Sequence, residues 1–261
     1  MLDVPRQMCG YRKIERLALF NLNNLAVVLV RPRNPLNIGA AARAMSNFGC
    51  PDLRVVNPYK LAFREARSAV GGSDILTKAT EYESVADAVA DCTLVVGATA
   101  IGPRSLPHPP QLLGELSGAI ARKALAIGRV ALLFGSEKTG LSNDDFSHCH
   151  WLMTIATHQQ NISMNLGQAV AVCLYELSRS TPAGNLDGKA EPATSAQIEQ
   201  VTEGLLEALR ISGYIKPGTD KMFEKKTRQL VLRFHLEAYD AKLLLGMVRQ
   251  IVWKLNHLQK P

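Results

Sequence analysis

The sequence predicts an α/β protein: a mostly parallel sheet with helices on both sides, followed by a small all-helical domain. Two observations predict it. Short runs of β-branched residues and leucine alternate with longer stretches of helical spacing, the order of strands joined by helical crossovers. The strand-like runs are apolar throughout rather than alternating, which marks strands covered on both faces.

Leu25 to Arg31, Leu53 to Asn57, Thr93 to Ala98, Arg129 to Phe134 and Trp151 to Ala156 are the expected strands. Ile38 to Phe48, Ser84 to Ala90, Gln111 to Leu125 and Leu166 to Arg179 carry the helical spacing between and after them. From Thr181 to Ser195 the chain is rich in Pro, Gly and polar residues with no apolar face to bury, so it reads as a linker. Beyond it, Ile198, Val201, Leu205 and Leu209 mark one amphipathic helix. Leu244, Val248, Ile251, Leu255 and Leu258 mark another, and the basic stretch Lys221 to Arg228, with Arg233, lies between the two. The expected organisation is an N-terminal extension at 1–24, the α/β domain at 25–180, a linker at 181–195 and a basic helical extension at 196–261.

With 261 residues, 47% of them hydrophobic, the chain can bury one large core and carry an appendage. Its net charge of +7 favours a polyanionic partner without naming one. The five cysteines, Cys9, Cys50, Cys92, Cys149 and Cys173, are scattered, odd in number and without a CxxC pair, which argues against a disulfide framework or zinc ribbon. A reducing cytoplasm is the expected location. Arg6, Arg12, Lys13 and Arg16 precede no apolar core of signal-peptide length, and no run approaches a membrane span, so no membrane is expected as a partner.

The densest chemistry lies in Phe134-Gly135-Ser136-Glu137-Lys138-Thr139-Gly140-Leu141-Ser142. Gly135 and Gly140 have the glycine spacing of a phosphate-binding P-loop, but Leu141 and Ser142 follow where Lys and Ser or Thr are needed. Glu137 would also put a negative charge inside the phosphate cradle. Asn37-Ile38-Gly39 lacks the first glycine of a dinucleotide fingerprint. His148-Cys149-His150 offers alternating ligands without a second pair to complete a metal site, so it reads as a surface turn entering a strand, and no metal is expected. Arg43, among alanines on the first helix, is either a surface cation or a guanidinium aimed into a cleft. Ser163 and Asn165 either cap the helix that begins near Leu166 or hold a ligand at its start.

Three segments in order resemble the motifs of the SPOUT superfamily, in its branch of TrmH-like RNA ribose 2′-O-methyltransferases. They are Asn37-Ile38-Gly39 with Arg43, Phe134-Gly135-Ser136-Glu137 with Gly140-Leu141, and Ser163-Met164-Asn165-Leu166 with Gln168-Ala169 and Tyr175-Glu176. The resemblance covers nearly all of residues 25–180. The linker and tail, with Arg228, Arg233, Leu244 to Gly246 and Gln250, resemble the C-terminal extension of the TrmJ subgroup, which methylates tRNA.

This resemblance implies a sheet whose C-terminal part forms a trefoil knot, an exception to the rule against knots. It implies S-adenosyl-L-methionine as cofactor, a homodimer, and tRNA rather than DNA as partner, with the ribose at position 32 of the anticodon loop (C or U) as target. Only RNA carries the 2′-hydroxyl that such chemistry needs. By position, Arg43, Asn37, Glu137, Ser163 and Asn165 would be catalytic. Thr99, Ala100, Ile101, Gly135, Ile155, Ile162, Ser163, Met164 and Leu166 would hold the cofactor. Ile101 stands where relatives often have Arg, and Ile162 where a small polar residue is common. The same chemistry on ribosomal RNA, and an RNA-binding protein with a degenerate site, are the alternatives.

Overall fold

The computed structural model describes residues 22–69, 74–100, 106–120, 127–158, 163–179, 191–216 and 218–258. Most of the expected N-terminal extension and linker lies outside these residues. Seven parallel strands form one sheet: β1 (Leu25–Val30), β2 (Asp52–Val56), β3 (Thr80–Tyr82), β4 (Leu94–Ala98), β5 (Gln111–Leu112), β6 (Val130–Phe134) and β7 (Trp151–Thr154). Their spatial order is β3-β2-β1-β6-β4-β7-β5. The chain moves outward from β1 to β3, crosses to β4, and later fills the gap between β1 and β4 with β6.

Around the sheet lie α1 (Pro35–Phe48), α2 (Lys60–Ala69), α3 (Asp74–Lys78), α4 (Val85–Ala88), α5 (Leu113–Ala119), α6 (Asn143–Ser147) and α7 (Leu166–Arg179). All six residues of β1 are buried. Val27 and Leu29 join the core under α1 and α7, while Val28 and Val30 join the core with Val85 of α4 and Phe146 of α6. Two-sided burial therefore explains the unbroken apolar runs, each large side chain contributing about 1.5–3 kcal/mol of transfer free energy. Helix α1 starts at Asn34, whose side chain accepts from the Leu36 N–H, and ends at Gly49 in the left-handed conformation.

The expected helix at Gln111 to Leu125 begins instead with two residues of strand, β5, which pairs with β7 at the sheet edge. Residues 121–126 lie outside the described set. The His148-Cys149-His150 segment is packed rather than a surface turn. Cys149 is buried, and the His150 Nδ1 accepts the Val95 N–H at 3.1 Å. Among the described residues no group of His, Cys, Asp and Glu could hold a metal ion, and no helix is long and apolar enough to cross a membrane.

The C-terminal region is three helices, α8 (Ser195–Ile211), α9 (Asp220–Arg233) and α10 (Ala238–Leu258), around a small core containing Ile198, Val201, Val231 and Ala241. Ile251, expected on the apolar face of the last helix, is exposed; Ala241, Val248 and Val252 are its buried residues. The last residues of the expected linker are packed: the Ser195 N–H donates to the Cys92 carbonyl at 2.8 Å and the Ala196 N–H to that of Ala90 at 3.0 Å. Arg228 is buried in the same seam. Its guanidinium donates to both carboxylate oxygens of Glu199 at 2.7 Å, to Glu224 at 3.0 Å and to the Ser147 hydroxyl at 3.0 Å. That guanidinium clamps α9 to α8 and α6 and is spent inside the protein.

A second buried guanidinium ties together the starts of β2, β4 and β6. Arg54, 4% exposed, bonds Asp52, Asp91 and the Ala88 carbonyl, and Arg129 donates to Asp52 at 2.7 Å. Hydrogen bonding from Arg54 holds the Asp91 carboxyl below its usual range. Replacing Arg54 by Ala leaves Asp52 and Asp91 with Arg129 as their shared cation, and urea unfolding is expected to show a loss of about 1–3 kcal/mol. Acid should also weaken the fold. Burial, with His235 nearby, lowers the His150 pKa from the usual 6.5 to about 4, so the unfolded chain takes up a proton at a pH where the folded chain does not. The stability present above pH 6.5 is then lost as pH falls from about 6.5 to about 4. A His150→Gln variant should show a shallower fall of melting temperature across that interval.

Candidate functional site

The C-terminal ends of β6, β4 and β7 open into a cleft of about 610 Å³. Its floor is apolar, from Ala98, Phe134, Leu141, Met153 and Leu166, and its rim is polar. Size and lining are those of a small-molecule site at a topological switch of an open sheet. One wall is the turn after β6, closed by the Gly140 N–H donating to the Ser136 carbonyl at 2.7 Å. A Cβ on Gly135 would lie 2.1 Å from the backbone of Gly140 and Leu141, so only glycine permits this closure. The turn folds back on itself instead of cradling phosphate, and Ser142 then starts α6 with a capping box to Asp145.

The turn directs Glu137 toward the start of α1. Its carboxylate accepts the backbone N–H of Arg33 at 3.1 Å and of Asn34 at 3.2 Å, and the side-chain amide of Asn37 at 3.0 Å. The Asn37 side-chain oxygen in turn accepts the Asn165 amide at 2.7 Å. Asn165 uses its own oxygen to cap α7, accepting from Gly167 at 2.9 Å and Gln168 at 3.4 Å. Capping and site-building therefore use the two ends of one side-chain amide, that of Asn165. One chain of hydrogen bonds joins three segments far apart in sequence, and the small contact of Gly167 against Ala40 lets α1 and α7 approach closely enough to make it.

Of the residues expected at the cofactor, Thr99, Ala100, Gly135, Ile155, Ser163, Met164 and Leu166 line the cleft. Ile101 and Ile162 lie outside the described residues. Of those expected to be catalytic, Asn37, Glu137, Ser163 and Asn165 are brought together at its mouth. Arg43 is not among the cleft-lining residues of its own chain: it is exposed on α1, with no hydrogen bond or ion pair among the described residues. Thr157, Lys138 and Thr139 also line the cleft. Lys138 and Thr139 lie inside the glycine-bounded turn, a position that could have drawn attention to them; Thr157 carries no comparable signal. Cys50, Cys92, Cys149 and Cys173 are free and buried, and burial raises all four thiol pKa values, to about 12 for Cys50 and Cys173. They pack as apolar groups and supply no nucleophile.

Residues 24–175 match the model of the SpoU rRNA Methylase family. The tRNA (cytidine/uridine-2′-O-)-methyltransferase TrmJ of Sodalis glossinidius (strain morsitans) is 32% identical over 250 residues, covering 92% of this chain and 94% of that relative. The protein of the same name from Klebsiella pneumoniae is 33% identical over 243 residues, covering 88% and 97%. Among solved structures, TrmJ from Z. mobilis ZM4 superposes with a TM-score of 0.75 at 31% identity, over 87% of this chain and 98% of that one. A putative methylase family protein from Neisseria gonorrhoeae gives 0.59 at 31% identity, over 71% and 93%.

Gly135→Ala tests the cleft directly. The added methyl forces the turn open, and we expect calorimetry to show loss of methyl-donor binding, alongside about 1–3 kcal/mol of destabilisation in thermal unfolding.

Proposed function

We propose that this chain, which belongs to the SpoU rRNA Methylase family, methylates a ribose 2′-hydroxyl of tRNA, using S-adenosylmethionine as donor. The observation that carries this reading is the hydrogen-bonded chain Glu137–Asn37–Asn165 across the mouth of an apolar cleft. The cleft suits the donor: the apolar floor accommodates a flat adenine, and Thr99, Ala100, Ser163 and Met164 offer backbone and hydroxyl groups around it. When bound, S-adenosylmethionine supplies a methyl group on a sulfonium centre.

The protein's part is alignment and charge. Asn37, Glu137, Ser163 and Asn165 orient the ribose, while Arg43 directs the 2′-hydroxyl and a neighbouring phosphate and stabilises negative charge as the oxygen attacks. A guanidinium keeps its proton at physiological pH, so orientation and charge stabilisation suit it better than general-base work.

The family model ends at residue 175, whereas the relatives named as tRNA methyltransferases align over 88% or more of the chain and so extend into the helical region. That favours tRNA over ribosomal RNA, with cytidine or uridine in the anticodon loop, at position 32, as the target. In the proposed division of labour residues 25–180 perform the chemistry and 196–261 add RNA contacts, with Lys221, Lys226 and Arg233 exposed on α9. We also propose that the C-terminal part of the sheet is threaded as a trefoil knot, as the family resemblance implies. Four buried free thiols suit a reducing cytoplasm.

We also propose that two copies pair across α1 and α7. These helices run side by side from the Asn37–Asn165 bond to the edge-to-face contact of Phe48 with Tyr175, and they leave Leu36 78% and Tyr175 55% exposed. Arg43 lies on the exposed side of α1. Pairing would cover this surface and carry Arg43 of one copy to the cleft of the other.

The test is to incubate the protein with labelled S-adenosylmethionine and tRNA and map the product nucleoside by mass spectrometry. A single 2′-O-methylated pyrimidine is expected, and tRNA with 2′-deoxyribose at that nucleotide should accept nothing; label on a base would reject the reading. Arg43→Ala should slow transfer by about 10²–10³-fold while donor affinity is kept. Mixing Arg43→Ala with Ser163→Ala subunits should restore about a quarter of wild-type activity if each site takes its arginine from the other copy. No recovery would place Arg43 in its own chain's site.

A further inference from the structure

A second cleft, of about 580 Å³, lies on the far side of the same turn, with Ser136, Lys138 and Thr139 as the shared wall. It opens where β1 and β2 end. The residue after each strand, Arg31 (φ 52) and Asn57 (φ 44), adopts the left-handed conformation that non-glycine residues seldom take. Both are fixed in place: Arg31 is paired with the buried carboxylate of Asp145, and the Asn57 amide donates to the Glu83 carbonyl. These two sharp bends direct Arg33 and Tyr59 around the opening.

The charges are unequal in availability. Arg31 is neutralised by Asp145. Arg33 and Lys138 are exposed and make no ion pair among the described residues, and Tyr59 is 55% exposed. Two free cations beside an exposed aromatic ring match a phosphodiester with a base stacked next to it. A free anion would use the cations and leave the ring idle.

We propose that this second cleft holds the nucleotide adjoining the methylated ribose, with Arg33 and Lys138 on its phosphate and the Tyr59 ring against its base. The proposal rests on the methyltransferase reading, and it deepens it by giving the substrate strand a path: target ribose on the donor side of the turn, neighbouring nucleotide on the other. Because the Arg33 main chain already donates to Glu137, RNA bound to its side chain would sit one residue from the carboxylate that orders the donor cleft.

The experiment measures tRNA binding to the full chain as a function of salt, alongside donor binding by calorimetry and steady-state methylation. Arg33→Gln and Lys138→Gln should each lower the slope of log affinity against log salt by about one. Tyr59→Ala should weaken tRNA binding by about five- to a hundredfold, and Tyr59→Phe should restore it, as stacking requires and a hydroxyl contact would not allow. For Arg33→Gln and Tyr59→Ala the loss should fall on KM for tRNA, with donor affinity unchanged. Wild-type affinity and salt slope in the variants would overturn the proposal, as would loss of donor binding along with RNA binding in Arg33→Gln or Tyr59→Ala. Wild-type protein that binds tRNA but transfers no methyl group would reject the enzymatic reading and leave the cleft to be judged by the binding arm alone.

Discussion

The turn after β6 exists because position 135 has no side chain: a single carbon there would collide with the backbone of Gly140 and Leu141 at the turn's far end. Everything at the C-terminal edge of the sheet follows from that closure. A wider turn would carry Glu137 away from the N-terminus of α1, leaving the Arg33 and Asn34 amides without their acceptor. It would also merge the two clefts that the turn now separates. The backbone constraint thus precedes the electrostatic one, since an anionic side chain near a helix start is favourable only if the chain can place it there.

Glu137 does more than satisfy two amides. Through Asn37 it reaches Asn165, which caps α7, so the positions of the turn and both helix starts are set by one continuous network. Networks of this kind give more than the sum of their pairs when every member is satisfied. The network is exposed at the cleft mouth, where water competes, so its value lies in geometry more than in stability. Stability comes from elsewhere: from the two-sided core, and from buried Arg54 and Arg228, each surrounded by carboxylates at sites remote from the turn.

Much of this was legible in the residues. Five strands announce themselves because burial on both faces leaves no polar interruption, as in β1. β3 and β5 escape notice since Thr80-Glu81-Tyr82 and Gln111-Leu112 are short, partly exposed edge pieces with no apolar run. Ile251 was misplaced because it lies about 60° round the helix from Val248 on the side away from Val252, off the face shared by Ala241, Val248 and Val252. The motif residues Asn37, Glu137 and Asn165 could be named from sequence, but their mutual bonds could not, since they depend on α1 and α7 touching through Ala40 and Gly167. The second cleft had no sequence signal at all: its shape comes from left-handed backbone at Arg31 and Asn57, which neither residue type advertises. Arg43 could also be named from sequence, but its exposed place on α1, outside its own chain's cleft, depends on which face of that helix packs against the sheet.

The placement of β6 has a kinetic consequence. β1 ends at Val30 and β4 at Ala98, yet the strand that pairs with both begins only at Val130. On the ribosome, the β1–β2–β3 half of the sheet and the still unpaired strand β4 emerge first and wait with open edges toward an empty slot. Such edges are the groups most prone to pair with other chains, and parallel pairing over long sequence separations is slow. Newly made molecules should therefore be most vulnerable to aggregation in the interval before that central strand emerges, and the need for chaperones should be concentrated there.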